Sequence, residues 1–214
     1  MHVEDAERLT IDHFLVGPIR TNIYLVGDPE RGDAAIIDAG GDVGAVLERA
    51  EERGLEVDKI LQTHAHVDHV GGLSEMKERT EAPIHLHRDE LEMYRAAPRQ
   101  GAMFGIEIDP LPDVDVYLEE GDVVEVGELE AEVIHLPGHS PGGIAYYFAD
   151  QGVLFSGDVL FAGSIGRVDL PGADREAMEA SLERLKEMPD ETRVLSGHGP
   201  ETTIGDERVR NPYL

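Results

Sequence analysis

The sequence contains no cysteine. That excludes a disulfide framework and a thiolate metal site, so any metal must be held by histidine and carboxylate side chains. No apolar run approaches the ~18 residues that a membrane span requires. The N-terminus shows no charged-then-apolar leader, so the expectation is a soluble, cytoplasmic protein. Positive charge is also scarce. Lys59, Lys77 and Lys186 are the only lysines, and Lys plus Arg number 18 against 45 Asp plus Glu, for a formal net charge of -27. Such a surface repels nucleic acid and anionic membranes, so neither is an expected partner. It also suits a salty cytoplasm, where salt screens the self-repulsion.

The chain has 214 residues, 41% of them hydrophobic. That is enough for a core and for one domain over 1–214, and no Pro/Gly/Ser-rich linker divides it. Residues 1–9 are expected to form a polar lead-in. Strands are expected at 11–17, 22–26 and 34–38, a β-meander with a turn at 28–32. A helix over 42–53 follows from Val43, Val46, Leu47 and Ala50 at helical spacing. Further strands fall at 60–63, 83–87, 123–126, 130–134, 144–148, 153–156 and 193–196. Further helices fall at 73–79, 90–96 and 175–188. The stretch 97–115 is expected to be an irregular loop, and the end from Glu201 is loosely defined. Strands and helix, then strands and helix again, suggest two packed sheets with helices outside.

The stretch Leu61-Gln-Thr-His-Ala-His-Val-Asp-His-Val70 carries the chemistry. It places His64, His66, Asp68 and His69 within six residues. On a regular helix of ~3.6 residues per turn, His64 and His66 would point about 200° apart. A turn at a strand end can aim all four side chains at one point. The competing reading is a solvated polar turn that happens to be rich in histidine.

Three more apolar strands end in the same way. Val133-Ile134-His135-Leu136-Pro137-Gly138 leads to His139, Val153-Leu154-Phe155-Ser156-Gly157 to Asp158, and Val194-Leu195-Ser196-Gly197 to His198. Glycine lets the backbone turn sharply and approach an ion closely. Seven candidate ligands at four strand ends suggest two metals. His85 and His87 alternate with Ile84 and Leu86, the pattern of a half-exposed strand face. His135 reads as a strand residue near the site, His2 and His13 as surface residues, and Tyr24 and Tyr146 as core.

These motifs resemble the signature of the metallo-β-lactamase-fold hydrolases. The matching residues are His64-x-His66-x-Asp68-His69, Pro137-Gly138-His139-Ser140-Pro141-Gly142, Ser156-Gly157-Asp158 and Ser196-Gly197-His198-Gly199. The opening 17–26 and the segment 161–172 are similar to the glyoxalase II-like (hydroxyacylglutathione hydrolase) branch. The resemblance implies an α/β (α+β) fold, a four-layer αββα sandwich. It implies one metal on His64, His66 and His139 and a second on Asp68, His69 and His198, with Asp158 bridging. Zinc is the first expectation, and iron and manganese are compatible with the same donors. A hydroxide bridging the metals, its pKa brought near 7, would attack a thioester carbonyl, with Asp68 as the orienting catalytic carboxylate. The substrate implied is S-D-lactoylglutathione or a related acyl thiol, with Arg167 as the residue for its carboxylate. Arg167 paired to Asp169 or Asp174 is the competing reading. Full-length glyoxalase II adds a helical C-terminal domain with basic residues for glutathione, whereas this sequence stops at Leu214, which leaves another acyl thiol open. A monomer or small homo-oligomer is expected. The alternative on the same fold is a persulfide dioxygenase with one iron on His64, His139 and Asp158. β-Lactam hydrolysis or nuclease work ranks below both.

Overall fold

The computed structural model describes residues 9–103 and 105–214. Two six-stranded sheets face each other. The first contains β1 (Thr10–Val16), β2 (Thr21–Asp28), β3 (Asp33–Ile37), β4 (Glu56–Leu61), β5 (Ile84–His87) and β6 (Val116–Leu118), in that spatial order. It is antiparallel from β1 to β3 and parallel from β3 to β6. The second contains β7 (Val123–Val126), β8 (Leu129–His135), β9 (Ile144–Phe148), β10 (Val153–Gly157), β13 (Arg193–Ser196) and β14 (Thr202–Thr203). Between β10 and β13 run the short ribbon β11 (Leu160–Phe161) with β12 (Ser164–Ile165) and the helix α5 (Arg175–Lys186). The remaining helices are α1 (Val43–Arg53), α2 (Val67–Val70), α3 (Leu73–Thr80), α4 (Leu91–Met103) and α6 (Ile204–Arg210).

Three buried apolar layers make the αββα sandwich. Successive residues of β2 point to opposite faces, and every residue of this strand is buried. Ile23 and Leu25 pack outward under α1 and α3, with Val46 and Met76. Tyr24 and Val26 pack inward against Phe148, Phe155 and Val133 of the opposite sheet. Met178, Leu182 and Leu185 of α5 cover the other outer face with Leu154 and Val194. Fully burying side chains of this kind contributes about 1.5–3 kcal/mol each. No helix of the described residues is long and apolar enough to cross a membrane.

Several local expectations need correction. Helix α4 runs through Met103 with Pro98 inside it, where a loop was expected from Ala97. Tyr94, Ala97 and Gly101 are buried along this helix, and that packing outweighs the hydrogen bond lost at the proline. The end from Glu201 is ordered, as β14 and α6. Its one buried apolar anchor, Ile204, stands among polar residues, so no apolar period could reveal it. Thr203 caps the helix at Asp206 N, and buried Glu207 accepts from Gly163 N at 2.7 Å and Thr202 Oγ1 at 2.6 Å. His85 and His87 are buried, because β5 is covered by β6 at its edge. The polar lead-in and His2 lie outside the described residues.

Candidate metal centre

The four strand ends named from the sequence converge. His64 follows β4, His139 follows β8, Asp158 follows β10 directly and His198 follows β13. Donor atoms of His64, His66 and His139 lie within 4.8 Å of one another, and so do those of Asp68, His69 and His198. Asp158 sits between the groups. Its Oδ2 lies 3.5 Å from His139 Nε2 and 3.4 Å from His198 Nε2, and its Oδ1 lies 3.4 Å from His69 Nε2. Asp68 Oδ2 lies 3.3 Å from His198 Nε2 and 3.5 Å from His69 Nε2. All seven expected ligands therefore share one pocket.

In three of the rings the other nitrogen is engaged on the protein side. His69 Nδ1 donates to Asp38 Oδ2 at 2.8 Å, and His139 Nδ1 donates to the Arg167 carbonyl at 2.9 Å. Thr63 Oγ1 donates to Asp38 Oδ2 at 2.8 Å, which leaves its lone pairs to accept from His64 Nδ1 at 3.0 Å. Each ring is thereby fixed with Nε2 facing the centre, the tautomer a metal ligand requires. His64 Nε2, His69 Nε2 and Asp158 Oδ1 are buried with no hydrogen-bond partner. Buried polar atoms are normally paired, so three such atoms in one pocket call for a cation. Gly197 completes the cradle. A Cβ there would lie 2.2 Å from Asp158 Oδ1 and 2.6 Å from His69 Cε1. The nitrogen-and-oxygen donor set therefore fits two divalent metals.

The two groups differ in protonation. Burial pushes His64 well below its ordinary pKa and His66 down to about 4, so both are neutral donors. In the other group burial works the same way but loses. Asp68, Asp158 and Asp38 hold His69 well above its ordinary pKa. Asp158 and Asp68 raise His198 to about 9. Burial would raise both carboxylates, yet His69 and His198 hold Asp68 and Asp158 below the usual carboxylate range.

Four residues that were not among the expected ligands brace this arrangement. Asp38 also accepts from Thr63 N at 2.8 Å, locking the start of the histidine turn. Its sequence Ile36-Ile37-Asp38-Ala39-Gly40 has the same apolar-strand-then-acid form as the ligand ends, a signal that could have marked it. Glu90 is fully buried and joins two ligand loops: it accepts from Ala65 N at 2.8 Å and from Gly142 N at 2.7 Å. Nothing in the sequence marked it. Thr21 donates to Asp68 Oδ2 at 2.8 Å, and Asn22 donates to the Ser196 and Gly199 carbonyls on either side of His198. Arg167 makes two hydrogen bonds to Asp169, at 2.8 and 3.0 Å, and its side chain is 67% exposed. Tyr24 of β2 and Tyr146 of β9 are core, and their hydroxyls donate to the Ser196 and Gln62 carbonyls.

Residues 16–198 match the metallo-beta-lactamase superfamily. The chain belongs to that superfamily. It is 36% identical over 215 residues to the hydroxyacylglutathione hydrolase GloC of Haemophilus influenzae, covering 96% of this chain and 98% of that protein. Among solved structures it is similar to TTHA1623 in a di-iron-bound form, with a TM-score of 0.87 and 42% identity over 95% of this chain and 100% of that one. It is also similar to the B3 metallo-beta-lactamase BLEG-1, with a TM-score of 0.89 and 37% identity over 96% and 99% of the two chains. Fold, superfamily and a histidine-aspartate centre suited to divalent metal are thus shown for this chain.

Proposed function

We propose that this protein is a binuclear metallohydrolase that cleaves acyl thioesters, with S-2-hydroxyacylglutathiones such as S-D-lactoylglutathione as the first substrate class. The observation that carries this reading is Asp158, whose two oxygens reach donor atoms of both ligand groups. In this reading His64, His66 and His139 would hold one metal and Asp68, His69 and His198 the other, with Asp158 shared between the two groups. Zinc fits these donors first, and iron and manganese are compatible. When bound, such a metal pair supplies Lewis acidity, lowering a water's pKa toward neutrality and polarising a carbonyl.

The chain's own groups supply the rest. Asp68 is held ionised, so it accepts a hydrogen bond from the attacking water and orients it rather than donating a proton. Thr21 fixes the Asp68 carboxylate in that direction. Asp38 and the Arg167 carbonyl hold His69 and His139 in the ligand tautomer. No serine or cysteine nucleophile is required, and the chain has no cysteine. The similarity to GloC supports the glutathione thioester as the first substrate to try.

The test is thiol release from S-D-lactoylglutathione by protein of measured metal content. About two metals per chain and turnover that a chelator abolishes are expected. Metal-loaded protein that leaves every acyl thiol intact would remove the proposal. Oxygen uptake with glutathione persulfide, at one iron per chain, would replace it with the dioxygenase reading. Cleavage of a chromogenic cephalosporin in preference to thioesters would replace it with β-lactam hydrolysis.

A further inference from the structure

Beside the metal centre lies a second concave feature. A cleft of about 390 Å³ opens between the turn joining β1 to β2 and the loop after β13, lined by His13, Leu15, Ile19, Arg20, His198 and Pro200. One wall is therefore a candidate metal ligand, His198. The floor is fixed, because Asn22 bonds to the carbonyls on either side of His198 and to His13 at 2.7 Å. His13 also stacks on Tyr24, with ring centroids 5.3 Å apart. The opposite wall is apolar and open: Leu15 is 44% exposed and Ile19 46%. Large aliphatic side chains exposed together beside a cleft mark a contact surface.

Arg20 closes the rim. In this acidic chain other arginines pair with carboxylates, as Arg53 does with Asp12, Arg184 with Glu120 and Arg193 with Glu201. Arg167 is taken by Asp169 in the same way. Arg20, like Arg88, Arg95, Arg99 and Arg175, has no carboxylate within ion-pair distance among the described residues, and of these it is the one that lines the cleft beside His198. Its backbone lies in the left-handed region at φ 62°. That conformation costs a non-glycine residue roughly 1–2 kcal/mol, and such strain clusters at ligand sites. The next residues, Thr21 and Asn22, already touch Asp68 and the His198 loop.

We propose that this cleft is the substrate's thiol-side subsite: Arg20 receives a carboxylate of an anionic thiol, whose carbon chain lies on Leu15 and Ile19. The substrate class is thereby an acyl thioester of a carboxylate-bearing thiol rather than of a neutral one. The inference rests on the thioester reading of the adjacent metal centre but is tested apart from it. The probe is S-hexylglutathione, a thioether that cannot be hydrolysed, titrated calorimetrically into the zinc-loaded protein. Arg20→Gly removes the guanidinium at a position whose φ suits glycine, so the fold is kept. A hydrogen bond to a charged group is worth about tenfold or more in affinity, so Arg20→Gly is expected to weaken the probe at least about tenfold, and Arg20→Asp more. In turnover, Arg20→Gly should raise KM for S-D-lactoylglutathione about tenfold more than for the uncharged lactoyl thioester of N-acetylcysteamine. Equal probe affinity in wild type and Arg20→Gly, or equal losses on both esters, would overturn the assignment. Arg20-dependent binding of the probe without any thioester hydrolysis would keep the cleft and remove the hydrolase reading instead.

Discussion

Three imidazoles make one half of the metal centre. The other half pairs two imidazoles with Asp68, and Asp158 stands between them. The three-imidazole half is buried throughout, whereas Asp68 and His198 leave the other half partly open, and the two answer burial differently. In the first, desolvation and the neighbouring imidazoles outweigh the attraction of Asp158, so His64 and His66 shed their protons. In the second, buried carboxylates must be compensated, and without another cation His69 and His198 supply the positive charge by keeping theirs. One half is a ready set of lone pairs, and the other is a set of anions awaiting a stronger cation than a proton. Metal uptake should therefore release protons mainly from the Asp68 half.

The largest effect should come from the residue that joins the halves. Asp158→Ala is expected to reduce bound metal from about two to about one per chain and to abolish measurable thioester turnover, read by elemental analysis and thiol release. If both metals stay, the halves are independent and the bridging role is lost. Asp38→Ala comes next. It frees His69 Nδ1, and loss of such an orienting partner costs about 10–100-fold in metal affinity. The loss should fall most heavily on the Asp68 half, with a smaller loss in the three-imidazole half, where Asp38 acts only through Thr63 on His64. Competition with a metal-sensitive dye would report two affinities, and equal weakening of both would blur the distinction drawn here.

Acid should separate the halves as well. A raised histidine pKa means that the proton competes with metal from a higher pH downward. His198 sits at about 9 and His66 at about 4. As pH falls, metal should leave the Asp68 half first, while the three-imidazole half keeps its ion until the pH approaches that of His66. Stoichiometry after dialysis across that range measures it, and a single concerted loss would count against the contrast. Glu90→Ala acts on the three-imidazole half, since it strands the buried Ala65 and Gly142 N–H groups. Each stranded donor costs about 1–3 kcal/mol, and 1 kcal/mol lowers Tm by about 2–4 °C at this size. Thermal melts would show it, with Glu90→Gln falling less far. Salt should act least on the centre. The net charge of -27 is a surface property that molar salt screens, so Tm should rise from dilute buffer to molar salt with metal stoichiometry unchanged.

Much of this was legible before any coordinates. His64, His66, Asp68 and His69 crowd one turn, and His139, Asp158 and His198 each follow an apolar strand through a small-residue bend. Strand ends are where such a fold collects its ligands, so the local pattern carried the site. The apolar run at 22–26 and the 3.6-residue period of α1 and α5 carried the layers. The residues that escaped notice work through contacts no local pattern records. Glu90 lies outside every ligand motif and matters because two loops fold onto it. Glu207 holds α6 by polar bonds, so the terminal helix has no apolar stripe to betray it. Pro98 signalled a break that buried Ala97 and Gly101 overrule.

The sequence by itself determined which side chains could bind metal and that they would gather at the ends of strands, because ligand chemistry and strand-turn punctuation are written residue by residue. Only the tertiary structure decided which nitrogen of His64, His69 and His139 faces the centre, which carboxylates share the protons, and which arginine lines the cleft beside His198. Those outcomes depend on distances between residues far apart in the chain, and burial turns such distances into charge states.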